Sequence, residues 1–278
     1  MLGAIVGDII GSIWEGLPVT EHTNIFDPHA HQYRITDDTI CHIAIAEGIL
    51  HITQPRRLFQ RTPPISPTTQ TIANYLRKWY HRYPNAGYGF QFSHWAQTPN
   101  FPPYHSYGNG AAMRSGCIAQ LSKNTAQRNT LTELACSPTH NDPITVASTK
   151  ALNAAIHHLH QHKNIDALPS ILHHYTGMQP SDLTDRIQRN EFIIQNKWCV
   201  AIAFTIAQRA TSYEHGVHLA MQANQDTDTQ ASITGNLLAA IHPIPPAWVQ
   251  MAQKVIPEDI QQIYHAYCTR THIPTQFI

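Results

Sequence analysis

The chain has no surplus of either charge: 18 Lys and Arg stand against 18 Asp and Glu in 278 residues, and only 13% of its side chains are charged. With no basic excess there are no counterions to release from phosphates, which excludes nucleic-acid or anionic-membrane binding driven by net charge. No sequence-specific nucleic-acid binding is expected either. Cysteine is scarce. Cys41, Cys117, Cys136, Cys199 and Cys268 are scattered and form no C-x-x-C pair, so they read as reduced core thiols rather than a disulfide framework or a zinc ribbon. The longest apolar run, Trp198 to Ala207, is about half of the ~20 residues that cross a bilayer. The opening MLGAIVGDII contains Asp8 and no basic segment, unlike a secretion signal. A soluble, cytoplasmic protein without membrane association is expected. One core at this length buries about three quarters of the unfolded surface, so folding needs no structural metal and any metal would be functional.

Strand-like alternation of useful length is also missing, whereas helical periodicity recurs, so the fold class is read as all-α in one domain over residues 1–278. In the first helix Leu2, Ile5, Ile9 and Ile13 form an apolar stripe, and Gly3, Gly7 and Gly11 recur every four residues, allowing another backbone to approach. Asp8, Ser12 and Glu15 share one face of that helix at i, i+4 and i+7. Further helices are expected from Asp38 to Ile52, from Pro143 to His162 behind an Asn141 or Asp142 cap, from Ile193 to Thr211, from Glu214 to Ala223, from Gln230 to Ile241 and from Pro257 to Cys268. Pro55, Pro63, Pro64 and Pro67 make Gln54 to Thr71 a connection. Tyr83 to Asn109 reads as a loop-rich middle, and long irregular segments in a compact domain are usually functional.

Two short clusters precede expected helices: Thr36-Asp37-Asp38-Thr39 and Asp226-Thr227-Asp228-Thr229. Either alone is an ordinary helix start, because Asp and Thr oxygens accept orphan N–H groups and the helix dipole favours negative charge. Together, four carboxylates exceed what capping requires. Hard divalent cations such as Mg²⁺ take oxygen ligands, and two of them about 3.5–4 Å apart would suit a polyhydroxylated or phosphorylated substrate. No Cys/His set at zinc-like spacing competes. The glycine segments Ala86 to Gly89 and Ser106 to Arg114 offer approachable backbone, either as phosphate-binding loops or as generic turns, and match neither common phosphate-loop pattern. His140 precedes a helix and is either structural or a ligand contact.

In this order, GAIVGDIIGSIWE, TDDT, RYPNAGYG, SYGNGAAMR, THNDP and QDTDTQASITG make the chain resemble the ADP-ribosylglycohydrolases from residue 3 to about residue 240. The resemblance implies a compact orthogonal helical bundle holding two Mg²⁺ ions in a cleft. It implies Thr36, Asp37, Asp38, Asp226, Asp228 and Thr229 as metal ligands, with Asp8 behind them. It implies Glu15 as a mobile acid beside the scissile bond, and Asp37, Asp38 or Asp228 as the group activating water. Gly87, Gly89, Ser106, Tyr107, Gly108 and Asn109 would bind diphosphate and ribose, and Met113 and His140 the adenosine end. The implied activity is Mg²⁺-dependent removal of ADP-ribose from an ADP-ribosylated protein, arginine-linked first, with ADP-ribose as product. The alternatives are serine-, nucleobase- or small-molecule-linked ADP-ribose, or a non-catalytic ADP-ribose binder. Two departures stand out. Asn224-Gln225 replaces the Gly-Gly frequent in the family, so the loop around the metals is expected to differ in backbone conformation, and the proline-rich connection is long. The 20 histidines, charging between pH 7 and 5, predict weaker stability or activity in mild acid.

Overall fold

The computed structural model describes residues 1–29, 32–54, 68–179, 183 and 192–277. Among them the fold is all-α with no sheet, and Gly108 and Gln195 form an isolated antiparallel bridge. The helices are α1 (Leu2–Gly11), α2 (Asp37–Ile52), α3 (Thr69–Arg82), α4 (Phe90–Gln97), α5 (Gly110–Ser115), α6 (Ile118–Leu121) and α7 (Thr125–Cys136). They continue with α8 (Pro143–His162), α9 (Leu168–Thr176), α10 (Asn196–Arg209), α11 (Tyr213–Ala223), α12 (Thr227–Leu238), α13 (Pro246–Val255) and α14 (Glu258–Thr271). None is long and apolar enough to cross a membrane. All five cysteines are buried and free, as read from their spacing.

The centre of the fold is the pairing of α1 with α12, and glycine makes it possible. A Cβ at Gly7 would lie 2.2 Å from the Ala231 carbonyl oxygen, one at Gly3 2.3 Å from that of Gly235, and one at Gly11 2.5 Å from the Asp228 Cα. The two backbones touch, and the Thr227 hydroxyl donates to the Gly11 carbonyl at 2.8 Å. The start of α12 is thereby set against the end of α1. Gly7→Ala is expected to destabilise the protein by at least about 1–3 kcal/mol, because the opposing atoms are backbone and cannot rotate away. Urea unfolding measures this, and a midpoint equal to that of the natural protein would contradict the packing.

The α2 helix is buried from Asp38 through Leu50 and packs against α3, α5 and α14. On the other side of the molecule α8 packs against α7, α9 and α10, while α10 and α11 flank α12. Several boundaries differ from the sequence reading. The first helix ends at Gly11, so Glu15 is not a third residue on its face; the chain instead turns through Gly16 at φ +72°, whose N–H donates to the Gln225 carbonyl at 3.0 Å. The loop-rich middle contains α4, a short helix held by burial of Phe92, Trp95 and Ala96 rather than by a repeating pattern. The second acidic cluster supplies the N-cap, Asp226, and the first turn of α12, which starts at Thr227 instead of Gln230. Residues Phe192, Ile193 and Ile194 precede α10 as non-helical chain. Most of the proline-rich connection lies outside the described residues; helix resumes at Thr69, where Thr68 accepts the Thr71 N–H at 3.1 Å.

Candidate metal centre and substrate cleft

The end of α1 and the starts of α2 and α12 bring five carboxylates together. Asp8 is fully buried on α1. Its Oδ2 accepts the backbone N–H of Thr36 at 3.0 Å and of Thr39 at 3.2 Å, and its Oδ1 accepts the Thr36 hydroxyl at 2.6 Å. The Thr39 hydroxyl also donates to Oδ2. Asp8 thus fastens the N-terminus of α2, while Thr36 caps the same helix by accepting the Asp38 N–H at 3.3 Å. Asp38 Oδ2 accepts the Thr229 hydroxyl of α12 at 2.9 Å, and Asp38 Oδ1 is buried without a hydrogen-bond partner. Asp226 Oδ2 accepts the Asn109 side-chain amide at 2.7 Å, and Asp228 Oδ1 accepts the Thr229 N–H at 2.8 Å. Oxygens of Asp8, Asp38 and Asp228 lie within 4.8 Å of one another.

Such a group repels itself when it is fully ionised. Burial first, and Asp228 second, push Asp8 up to about 7 in spite of its donors. The same two causes, in the same order, raise Asp37, Asp38 and Asp226 well above the usual carboxylate range. A divalent cation held here would relieve the repulsion, and the Asp38 oxygen without a hydrogen-bond partner is free to ligate it. The donors are carboxylate and hydroxyl oxygens without His or Cys, which fits a hard cation of the Mg²⁺ kind rather than zinc. Asp8 brings an oxygen within 4.8 Å of oxygens of Asp38 and Asp228, while both of its oxygens accept donors from Thr36 and Thr39 and it does not line the cleft.

The cluster borders a cleft of about 610 Å³. Thr36, Asp37, Asp226, Asp228 and Thr229 line it, whereas Asp38 does not. The Asp37 N–H donates to the Ala86 carbonyl at 2.7 Å, which ties the AGYG segment to the acidic floor. Gly87 there has φ +95° and faces Asp37 Oδ1, so this turn requires glycine for its conformation. Gly89, Ser106, Gly108, Asn109, Met113 and His140 also line the cleft. Tyr107 does not: it is 60% exposed and lines a separate depression with Ile144 and Lys197, so the extended chain at this point turns it away from its neighbours. Glu15 is exposed at the mouth, and its carboxyl is raised by Asp228 first and by burial second, against a lowering influence from Arg34.

His140 is held in place by its neighbours in the cleft wall. Its Nδ1 is 2.7 Å from the Thr139 hydroxyl, which the Arg114 guanidinium also contacts at 2.8 Å. A Cβ at Gly110 would lie 2.8 Å from His140 Nε2, so that glycine makes room for the ring. Burial, then Arg114, hold His140 well below the usual imidazole range, leaving it neutral. His42, fully buried, accepts the Cys117 N–H at 3.1 Å and is pushed down to about 3, chiefly by burial. Because both folded values are depressed, the unfolded chain takes up protons first as pH falls below about 6.5. Their contribution to stability is complete above that value and lost below it, by about 1.4 kcal/mol per pH unit for each ring that stays neutral. With Mg²⁺ saturating, unfolding midpoints are expected to drop between pH 7.5 and 5.5; a flat profile would contradict the neutral assignment.

The sequence reading passed over several cleft residues: Arg34, Phe90, Tyr104, Phe192 and Ile194. Phe90 is 86% exposed, and Phe192 and Ile194 are also exposed, forming an apolar rim. An FII triplet is too short to show period-two alternation, so nothing in the sequence marked it.

Comparison with known proteins settles the family. A sequence model described as ADP-ribosylglycohydrolase matches residues 1–273. The chain belongs to the ADP-ribosylglycohydrolase family. Among solved structures, an ADP-ribosylglycohydrolase-related protein complex superposes with a TM-score of 0.72 at 20% identity, covering 99% of this chain and 96% of that one. That likeness shows the shared all-α fold. A search of curated proteins found no match. Family membership supports a glycohydrolase acting on ADP-ribosyl groups, and the acidic cluster of its cleft supplies a candidate metal site.

Proposed function

We propose that this protein is a Mg²⁺-dependent hydrolase that removes ADP-ribose from a modified protein side chain, with the arginine N-glycosidic linkage as its substrate. The observation that carries the reading is a cleft lined both by Asp37, Asp226 and Asp228 of a five-carboxylate cluster and by neutral His140 with Tyr104 and Met113. Thr36, Asp37, Asp38, Asp226, Asp228 and Thr229 would hold two Mg²⁺ ions, and Asp8 joins them from α1. Bound there, the ions supply Lewis-acid polarisation and charge neutralisation.

The chain's own groups do the rest. His140, Tyr104 and Met113 take the adenosine end, and Gly87, Gly89, Ser106, Gly108 and Asn109 offer backbone and polar contacts along the diphosphate. The distal ribose is then placed over the acidic floor. A water oxygen forms the new bond to the anomeric carbon while the bond to the side-chain nitrogen breaks. Asp37 and Asp228 line the cleft and can take the water proton, whereas Asp38 lies outside the lining and serves as a ligand. Glu15 stands at the mouth, and its raised pKa suits it to deliver a proton to the leaving atom or to position it. A guanidine leaving group is itself basic and needs little such help, so an exposed Glu15 fits arginine better than an alkoxide.

Release rates from arginine-linked, serine-linked and nucleobase-linked ADP-ribose, measured in parallel, test the linkage. Arginine-linked substrate is expected to turn over fastest, and Glu15→Gln to slow it by about 10²-fold or less. A faster serine-linked rate would overturn the linkage and leave the reaction class standing.

A further inference from the structure

Asn224 occupies one of the two positions where this chain departs from the Gly-Gly frequent in the family, and the structure gives it a definite task. Its side chain is fully buried. Oδ1 accepts the Ile193 N–H at 2.9 Å, and Nδ2 donates to the Ile193 carbonyl at 2.8 Å, so the amide pairs with that residue as a neighbouring strand would. The same Oδ1 accepts the Asp226 N–H at 3.1 Å. Nδ2 also reaches Gln230 Oε1 on α12 at 3.3 Å. One side chain therefore joins two parts of the cleft that the sequence keeps apart: the apolar wall, where Phe192 and Ile194 flank Ile193, and the backbone of a metal-ligand residue.

The rest of the wall is fixed by contacts that do not touch the backbone of Asp226, although the Asn109 amide, which donates to the Asp226 carboxylate, also lies 3.7 Å from the Cys199 sulfur. The Asn196 N–H donates to the Tyr107 carbonyl at 2.9 Å, and the Cys199 thiol donates to the Ile193 carbonyl at 3.2 Å. A glycine at 224 would leave those in place and remove the bridge. It would also free the backbone ahead of Asp226.

We propose that Asn224 is a positioning residue that couples the apolar wall of the cleft to the Asp226 metal-ligand loop, so that nucleotide at His140, which meets Ile194 of the wall across Gly108, and cation at the acidic cluster strengthen each other's binding. The proposal rests on the reading of the cleft as a cation-dependent ADP-ribosyl site. Coupling of this kind is reciprocal: whatever factor the cation adds to nucleotide affinity, the nucleotide adds to cation affinity.

The test uses the full chain, Mg²⁺ and AMP, which fills the adenosine end but lacks the distal ribose that would lie over the cluster. Calorimetry measures AMP affinity with and without Mg²⁺, and Mg²⁺ affinity with and without AMP. Asp228→Asn serves as the control for direct Mg²⁺–AMP complexation in solution. In the natural protein each ligand is expected to tighten the other by at least about fivefold. Asn224→Gly is expected to bring that factor to within about twofold of one while AMP alone still binds. Asn224→Ser provides a second variant: its hydroxyl still reaches two residues ahead to the Asp226 N–H, but it is too short to pair with Ile193, and it is expected to lose the coupling too. A general loss of stability would lower melting temperature or both affinities without removing the ratio between them. Natural protein that binds both ligands independently, or either variant retaining full coupling, would overturn the proposal. Natural protein that binds neither Mg²⁺ nor AMP would overturn the reading of the cleft itself.

Discussion

Asp228→Asn is expected to lower the rate of ADP-ribose release by at least ~10²–10³-fold and, at the same time, to raise the melting temperature of the cation-free protein. The two effects share one cause. Asp228 adds repulsion to Asp8, Asp37, Asp38, Asp226 and Glu15, and it is the main cause of the raised Glu15 carboxyl. Neutralising it relieves five neighbours and weakens the site's hold on a cation. An active site assembled from like charges is strained until it is loaded, so its removal trades activity for stability. Chelator-treated protein at pH 8 provides the comparison in thermal unfolding, and ADP-ribose release provides the rate. A variant that loses activity and also melts lower without cation would mean that Asp228 is a structural residue and that repulsion in the cluster is small.

Stripping divalent cations is expected to lower the melting temperature, and to lower it more at pH 8 than at pH 5. The folded-state carboxyl of Asp8 is raised from 3.8 to about 7, and Asp37, Asp38 and Asp226 are raised as well. Between about pH 4 and pH 7 the cation-free folded state therefore holds protons that the unfolded chain has already released. Its stability falls as pH rises through that window and stays low above it. A bound divalent cation substitutes for those protons, so its stabilising effect grows over the same window. At a concentration 100 times its Kd, a cation contributes about 2.7 kcal/mol, which for a chain of this size is a shift of about 5–10 °C. The buried histidines act with the opposite sign in the same range, so the effect is read as the difference between cation-saturated and chelated samples at each pH. Equal melting temperatures with and without chelator at pH 8 would remove the cation from the account.

Much of the floor of the cleft was legible because its chemistry is written in contiguous words. TDDT and DTDT each sit in one helical turn, so reading the words locates the side chains. The glycines of α1 were legible for a related reason: a four-residue repeat on a helix is a stripe, and a stripe of glycine invites a backbone. What failed to show was anything made by tertiary contact. Asp8 shares a helix face with Ser12 in the sequence, but its approach to within 4.8 Å of Asp38 and Asp228 is made by the packing of α1 against α12 and shows only in the structure. Tyr107 belongs to the same word as Ser106 and Asn109, yet extended chain sends alternate side chains in opposite directions, and it leaves the cleft. Glu15 is found at the cleft although its helix stops four residues earlier, because the turn over residues 12–16 carries it there. Phe90 on the one hand and Phe192 with Ile194 on the other come from two separate segments with no pattern of their own.

The most direct test of the account is release of free ADP-ribose from an arginine-ADP-ribosylated protein, followed with Mg²⁺, with chelator, and with chelator followed by added Mg²⁺. The account predicts release with Mg²⁺, none above background with chelator, and recovery on readdition, with Asp228→Asn inactive throughout. Release that continues at full rate in chelator, or no release from any linkage by protein that binds both Mg²⁺ and ADP-ribose, would contradict it.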